Sequence, residues 1–267
     1  MIGGRQAAGD RPSNAPVRGG ASCPEQRDRQ ETSNPTNRMT GIGRRNNRSR
    51  KWVEEVKVEV FRDFACAWSR LGTRRFELAT AEAGLSGSVE LVHRPFLLNP
   101  DIPPDVEPRP LLDVMGARFG GRERAESMLS SIVPFGLRDG VEYNFDKTLA
   151  VSSVHAHRLM WLAARDHDNA TQNALAAAIY NAYFRDGRNI ADRAELASLA
   201  EGVGIDRAKA ATFLDSDEAI AEIREQAAAA RANGVTTVPT FVFPGGETLP
   251  GASETDALTQ ALRNVEN

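Results

Sequence analysis

One segment limits the folds open to this chain more than any other. Val58 to Phe76, VEVFRDFACAWSRLGTRRF, runs a short apolar strand into an amphipathic helix with a cysteine at the junction. Val58, Val60 and Phe61 are strand formers in a β pattern, and Asp63 to Ala65 make a turn. From Trp68 onward, Leu71, Phe76 and Ala79 recur at helical spacing with arginines between them. Cys66 therefore falls at the positive end of a helix, where unpaired N–H groups and the macrodipole favour an anion. On that ground Cys66 is expected to ionise below its ordinary value and to serve as a nucleophilic thiolate.

The pattern continues in an order that defines a topology. Ser88 to Phe96 alternates apolar and polar residues and reads as a second strand, parallel to the first, which completes a βαβ unit. Residues 97–110, LLNPDIPPDVEPRP, are punctuated by proline and cannot continue a central strand. From Leu111 to Ala232 the pattern is helical, over 111–119, 122–133, 153–164, 170–184, 193–201, 207–214 and 218–232. Asp192 with Glu195 forms a capping box, and Gly234 is a stop signal. A strand returns at Thr240 to Phe243, a short one follows near Thr248, and a closing helix begins at Ser253, giving a ββα unit.

Composition narrows the class. With 267 residues, of which 41% are hydrophobic and 26% charged, the chain has material for a substantial core. No apolar run approaches the length of a membrane span and no secretory signal is visible, so the sequence predicts no membrane partner and a cytoplasmic location. Two cysteines, Cys23 and Cys66, are too few for a disulfide scaffold. Residues 1–50 hold ten arginines against four acidic residues, a balance of +6 that leaves −9 for the rest of a chain with net charge −3. That tail, read as disordered over 1–52, is rich in Gly, Pro, Ser and Asn. No aromatic residue precedes Trp52 to stack on bases, so it reads as a solvated segment rather than a nucleic-acid arm. Met39 lies nearer the fold and offers an alternative start.

The residues around Cys66 resemble the DsbA family of thiol-disulfide oxidoreductases, in particular its FrnE-like branch, which reads roughly D-F-x-C-P-W-C. Asp63, Phe64, Cys66 and Trp68 match, whereas Ala67 replaces the proline and Ser69 replaces the second, resolving cysteine. Similar segments follow in order at LLNPD (97–101), AHRL (156–159), NAYFRDG (181–187), GVTTVPTF (234–241) and PGAS (250–253). The resemblance implies an α/β architecture, a thioredoxin-like fold with an inserted all-helical domain. The thioredoxin-like part would be 53–102 with 235–267, and the insertion 103–234. It also implies that the Val238-Pro239 bond is cis, faces Cys66, and presents the Val238 backbone to an extended substrate.

The expected chemistry is thiol-disulfide exchange or isomerisation through Cys66 as a monothiol, because a CAWS motif has no internal thiol to release a mixed disulfide. Protein or small-molecule thiols and disulfides would be the partners, with glutathione a candidate co-substrate and no other cofactor. Ser69 is placed either to donate its hydroxyl to the thiolate or to satisfy a local backbone group. Trp68 would shape the lip of the site. His157 would line the cleft between the two parts of the fold, or else be a hydrogen-bonded core histidine. Arg70, Arg74 and Arg75 read as a solvated helix face, one of them an option for an anionic substrate. The four histidines have no zinc-ligand spacing, and neither a P-loop nor a G-x-S-x-G elbow is present. Two other readings stand beside this one. The first is a glutathione-dependent isomerase or transferase resembling 2-hydroxychromene-2-carboxylate isomerase, whose relatives carry serine at the position of Cys66. The second is a peptide-binding protein without turnover.

Overall fold

The computed structural model describes residues 56–265, so the tail assigned to 1–52, with Cys23 in it, lies outside the described residues. Strand β1 (Val56–Arg62) buries Val58 and Val60 on one face, as its alternation requires. A crossover through α1 (Ala67–Glu82) returns the chain to β2 (Val89–Pro95), which pairs with β1 in parallel register, Val58 opposite Leu91. After a long helical excursion, β5 (Thr240–Val242) pairs antiparallel with β1, Val60 opposite Phe241, and β6 (Thr248–Pro250) closes the edge. The sheet order is β2-β1-β5-β6, with β1 central.

One face of this sheet is covered by α1 and the last helix, α10 (Thr255–Val265). Phe76 of α1 stacks on Phe241 with ring centroids 5.2 Å apart, and Leu258, Ala261 and Leu262 of α10 fill the same core. The close approach of α1 to β5 has a requirement written at Gly72, where an added Cβ would lie 2.5 Å from Pro239 Cγ and 3.3 Å from Ala252 Cα.

The excursion between β2 and β5 is built of helices around a second core. It comprises α2 (Leu111–Phe119), α3 (Arg122–Ser130), α4 (Val133–Asp139), α5 (Val154–Asp166), α6 (Asn169–Tyr180), α7 (Arg193–Glu201), α8 (Arg207–Asp215) and α9 (Ile220–Ala232). Leu159, Leu162, Ile179, Tyr180 and Phe184 are buried at its centre, and Phe64, from the turn after β1, belongs to the same cluster. Caps fix several starts: Asp168, Asp192 and Asp206 each accept from backbone N–H groups of the following turn. Only half of the expected capping box forms, because Glu195 is drawn to Arg188 instead.

Three local expectations need correction. The helix expected over 122–133 ends at Ser130, and a further helix, α4, not expected from the sequence, starts at Val133 with Pro134 in its first turn, where a missing N–H is tolerated. The helix expected over 170–184 changes to a π-helical turn at Asn181–Arg185. A two-stranded ladder, β3 (Arg109–Pro110) with β4 (Leu149–Ala150), was not legible, being two residues long on each side.

Candidate active site

The turn that carries Cys66 is organised by Asp63. Its Oδ1 accepts from the Ala65 N–H at 3.0 Å, an Asx-type turn, and its Oδ2 accepts from the Leu98 N–H at 2.6 Å. Its backbone carbonyl accepts from the Cys66 N–H at 3.1 Å and from the Tyr180 hydroxyl at 3.2 Å. Its own N–H reaches Ser69 Oγ at 3.4 Å. Cys66 is then the N-cap residue of α1, with extended φ/ψ of −99° and 113°, and its carbonyl accepts the first helical bond from the Arg70 N–H at 3.2 Å. The thiol is where the sequence places it.

Its electrostatics are not what the sequence predicts. Cys66 is 8% exposed, enclosed by Phe96, Ala230 and Val238, and its Sγ donates to the Val238 carbonyl at 3.6 Å. Burial pushes the thiol up, and the Asp63 charge pushes the same way. The Ser69 hydroxyl and the N–H groups of Ser69 and Trp68 favour the thiolate but do not outweigh burial. The helix start is present, yet the resting group is a thiol; the expectation of a lowered pKa fails because desolvation acts against charge more strongly than one helix terminus favours it.

A profile of the DSBA-like thioredoxin domain family matches residues 57–263. The chain belongs to that family. It is 27% identical over 217 residues to the uncharacterized protein YwbO of Bacillus subtilis, across 79% of this chain and 98% of YwbO. A solved structure of the probable DsbA oxidoreductase SCO1869 from Streptomyces coelicolor is 31% identical, with TM-score 0.70 over 79% of this chain and 90% of that one. The cytosolic disulfide reductase DsbM of Pseudomonas aeruginosa, solved with glutathione, shares the fold at 15% identity, with TM-score 0.53 over 78% of this chain and 98% of that one.

Within this DsbA-family fold, the residues singled out in the sequence fall into two groups. Cys66, Ser69, Val238 and Pro239 come together: the Val238-Pro239 peptide is cis, and Ser69 is fully buried in the first turn of α1. Trp68 stands at the rim, 42% exposed, its ring 6.2 Å from that of Phe135. His157 borders a cavity of about 270 Å³ between β2, α5 and α9, which His93, Trp161 and Gln226 also line. It is itself 4% exposed, its ring 5.0 Å from Phe64, and its Nε2 lies 3.9 Å from Asp63 Oδ1, too far for a hydrogen bond. Burial lowers the His157 pKa and the Asp63 carboxylate only partly restores it, so the ring is neutral. Burial pushes the Asp63 carboxyl up, but His157, Ser153 and the Ala65 N–H together hold it below its ordinary range.

The arginines of α1 also depart from a solvated face. Arg75 is 2% exposed and ion-paired to Asp139 at 2.6 Å, and Arg70 is 6% exposed; only Arg74 is half-buried. Sequence reasoning missed Arg62, Tyr143 and Tyr180, which surround the site from β1, the 141–148 loop and α6. A signal existed for Arg62 alone, since an arginine in register with Val58 and Val60 on a central strand must point into the protein. Among the described residues no cluster of acidic, histidine or cysteine side chains could hold a metal ion, and no helix is long and apolar enough to cross a membrane.

Proposed function

We propose that this chain is a cytoplasmic thiol-disulfide oxidoreductase that acts through Cys66 as a monothiol. The observation that carries the reading is the pairing of the Cys66 sulfur with the Val238 carbonyl while Ser69 occupies the place of a second thiol. At rest the carbonyl holds the thiol and keeps it protonated. When the Cys66 proton leaves, the thiolate attacks a disulfide R–S–S–R, forming Cys66–S–S–R and releasing R–S⁻. The Val238 carbonyl is then free to accept an N–H from the bound substrate.

Ser69 cannot attack the mixed disulfide, so an external thiol completes the cycle. Its thiolate attacks the R sulfur of Cys66–S–S–R, forms a new disulfide with R, and returns the Cys66 thiolate. Glutathione is the proposed co-substrate, a choice supported by the fold relative solved with it. The Ser69 hydroxyl lowers the energy of the thiolate formed in both steps.

Mass spectrometry of the full chain after exposure to a peptide disulfide tests this. Peptide mapping should locate the adduct on Cys66, reduced glutathione should remove it, and Cys66→Ser should abolish it. Failure to form any adduct at Cys66 between pH 7 and about 10, above the ordinary thiol range, would remove the reading.

A further inference from the structure

Two arginines near the start of α1 are buried with no ion-pair partner of their own. Arg62 is 1% exposed, its guanidinium lies 4.2 Å from the Phe64 ring centroid and 5.3 Å from that of Tyr180, and its Nε, Nη1 and Nη2 are buried with no hydrogen-bond partner. Arg70 is 6% exposed and approaches the other side of the cluster, 5.9 Å from the Tyr180 ring. Its Nη2 donates to the neutral Asn181 Oδ1 at 3.2 Å, and its Nη1 is buried and unpartnered.

The nearby carboxylates are committed elsewhere. Asp63 accepts from two backbone N–H groups and faces His157, and Glu77, whose charge acts on Arg70 from farther along α1, is paired with Arg74 at 3.0 Å. A buried cation without a partner is expensive, and an arginine fork is built to bind a carboxylate. The site thus carries more positive charge than its own residues neutralise.

Arg70, rather than Arg62, is placed to meet a substrate. It lies in the first turn of α1, its backbone N–H donating to the Cys66 carbonyl at 3.2 Å, and at 6% exposure it is less enclosed than Arg62 at 1%. Tyr143, whose hydroxyl donates to the Ala67 carbonyl at 2.8 Å, has both Arg70 and Cys66 among the groups that act on it, and the Tyr180 ring 5.9 Å from the Arg70 guanidinium carries the hydroxyl that donates to the Asp63 carbonyl. We infer that Arg70 is a specificity residue of the Cys66 site, its free Nη1 taking the carboxylate of a small acidic thiol or disulfide whose sulfur meets Cys66. This rests on the thiol-disulfide reading of Cys66. Arg62, locked between aromatic rings, supplies background positive charge without touching the substrate.

The test compares disulfides that differ in charge. Formation of the Cys66 adduct on the full chain is followed by peptide mapping with glutathione disulfide and with neutral hydroxyethyl disulfide, each rate normalised to that of a free model thiol. Wild type should favour glutathione disulfide by about tenfold, the scale of one charge-assisted hydrogen bond. Arg70→Met should bring the ratio of the two normalised rates to about one, and Arg70→Lys should retain part of the preference. If Arg70→Met does not fold, glutathione disulfide with its carboxylates esterified gives the same information on wild type, and should lose the preference. Equal normalised rates in wild type, equal slowing of both disulfides by Arg70→Met, or full preference for the ester would each overturn the assignment of Arg70 while leaving the monothiol chemistry intact. No adduct with either disulfide would overturn the proposed function, and this inference with it.

Discussion

The Cys66 sulfur lies 3.6 Å from the carbonyl oxygen of Val238, 172 residues away in the chain. This contact joins the start of α1 to the approach of β5, and it closes the site in the resting state. The thiol is satisfied by a backbone acceptor that an extended substrate would need. Reaction therefore requires two coupled events, loss of the proton from a buried sulfur and exchange of the Val238 partner.

The first expectation concerns the thiol itself. Alkylation of Cys66 against pH, in a Cys23→Ser background, should show a midpoint above the ordinary cysteine value of about 8.5, because burial disfavours the thiolate. Ser69→Ala should move it higher and Asp63→Asn lower, since the hydroxyl favours the anion and the carboxylate opposes it. Parallel shifts in the two variants would contradict the assignment.

The same displacement has a consequence for stability. The folded chain holds the Cys66 proton more tightly than the unfolded chain does, so this contribution is full below the unfolded pKa of about 8.5 and is lost as pH rises through the folded value. Urea midpoints of wild type and Cys66→Ala should diverge in slope above that pH, with wild type falling more steeply.

Restoring a second thiol at position 69 should change the products. Wild type is expected to accumulate Cys66 mixed disulfides in the absence of small thiols, whereas Ser69→Cys should discharge them by forming an internal disulfide within the first turn of α1. Intact-mass analysis distinguishes the two, and equal adduct levels in both proteins would mean that another group resolves the intermediate.

Gly72 is required by packing rather than by flexibility. Gly72→Ala would drive a methyl group to 2.5 Å from the Pro239 ring, and relief demands that α1 and the 239–241 segment move apart. A loss of about 1–3 kcal/mol by denaturant titration is expected. Cys66 alkylation should become faster at neutral pH, because the same displacement opens the contact with Val238.

Arg75 binds three parts of the chain together. Its guanidinium pairs with Asp139 of α4 at 2.6 Å, donates to the Ala252 carbonyl at 2.6 Å, and reaches Glu254 at 3.2 Å. Arg75→Met should destabilise the fold by about 3–5 kcal/mol, the range for breaking a buried pair. Asp139 keeps its bond to Arg138 at 2.8 Å, so the lower end is expected in urea titrations.

Much of this arrangement was legible one residue at a time. Alternation in Val58 and Val60, the helical spacing of Leu71, Phe76 and Ala79, and the return of a strand at Thr240 determine a βαβ unit, a helical excursion and a ββα unit in that order, because each signal is local. They also place Cys66 at a helix start and bring Ser69 beside it. What the chain could not declare locally was its surroundings. Whether Cys66 ionises depends on Phe96, Ala230 and Val238 enclosing it, and whether Arg70 and Arg75 are solvated depends on Asn181, Asp139 and Ala252 arriving from distant segments. His157 reads as a cleft or a core residue until Asp63 and Phe64 are seen against it and a cavity beside it. Burial and charge pairing are properties of the assembled fold, and they decide the pKa of the thiol and leave Arg70 without an ion-pair partner.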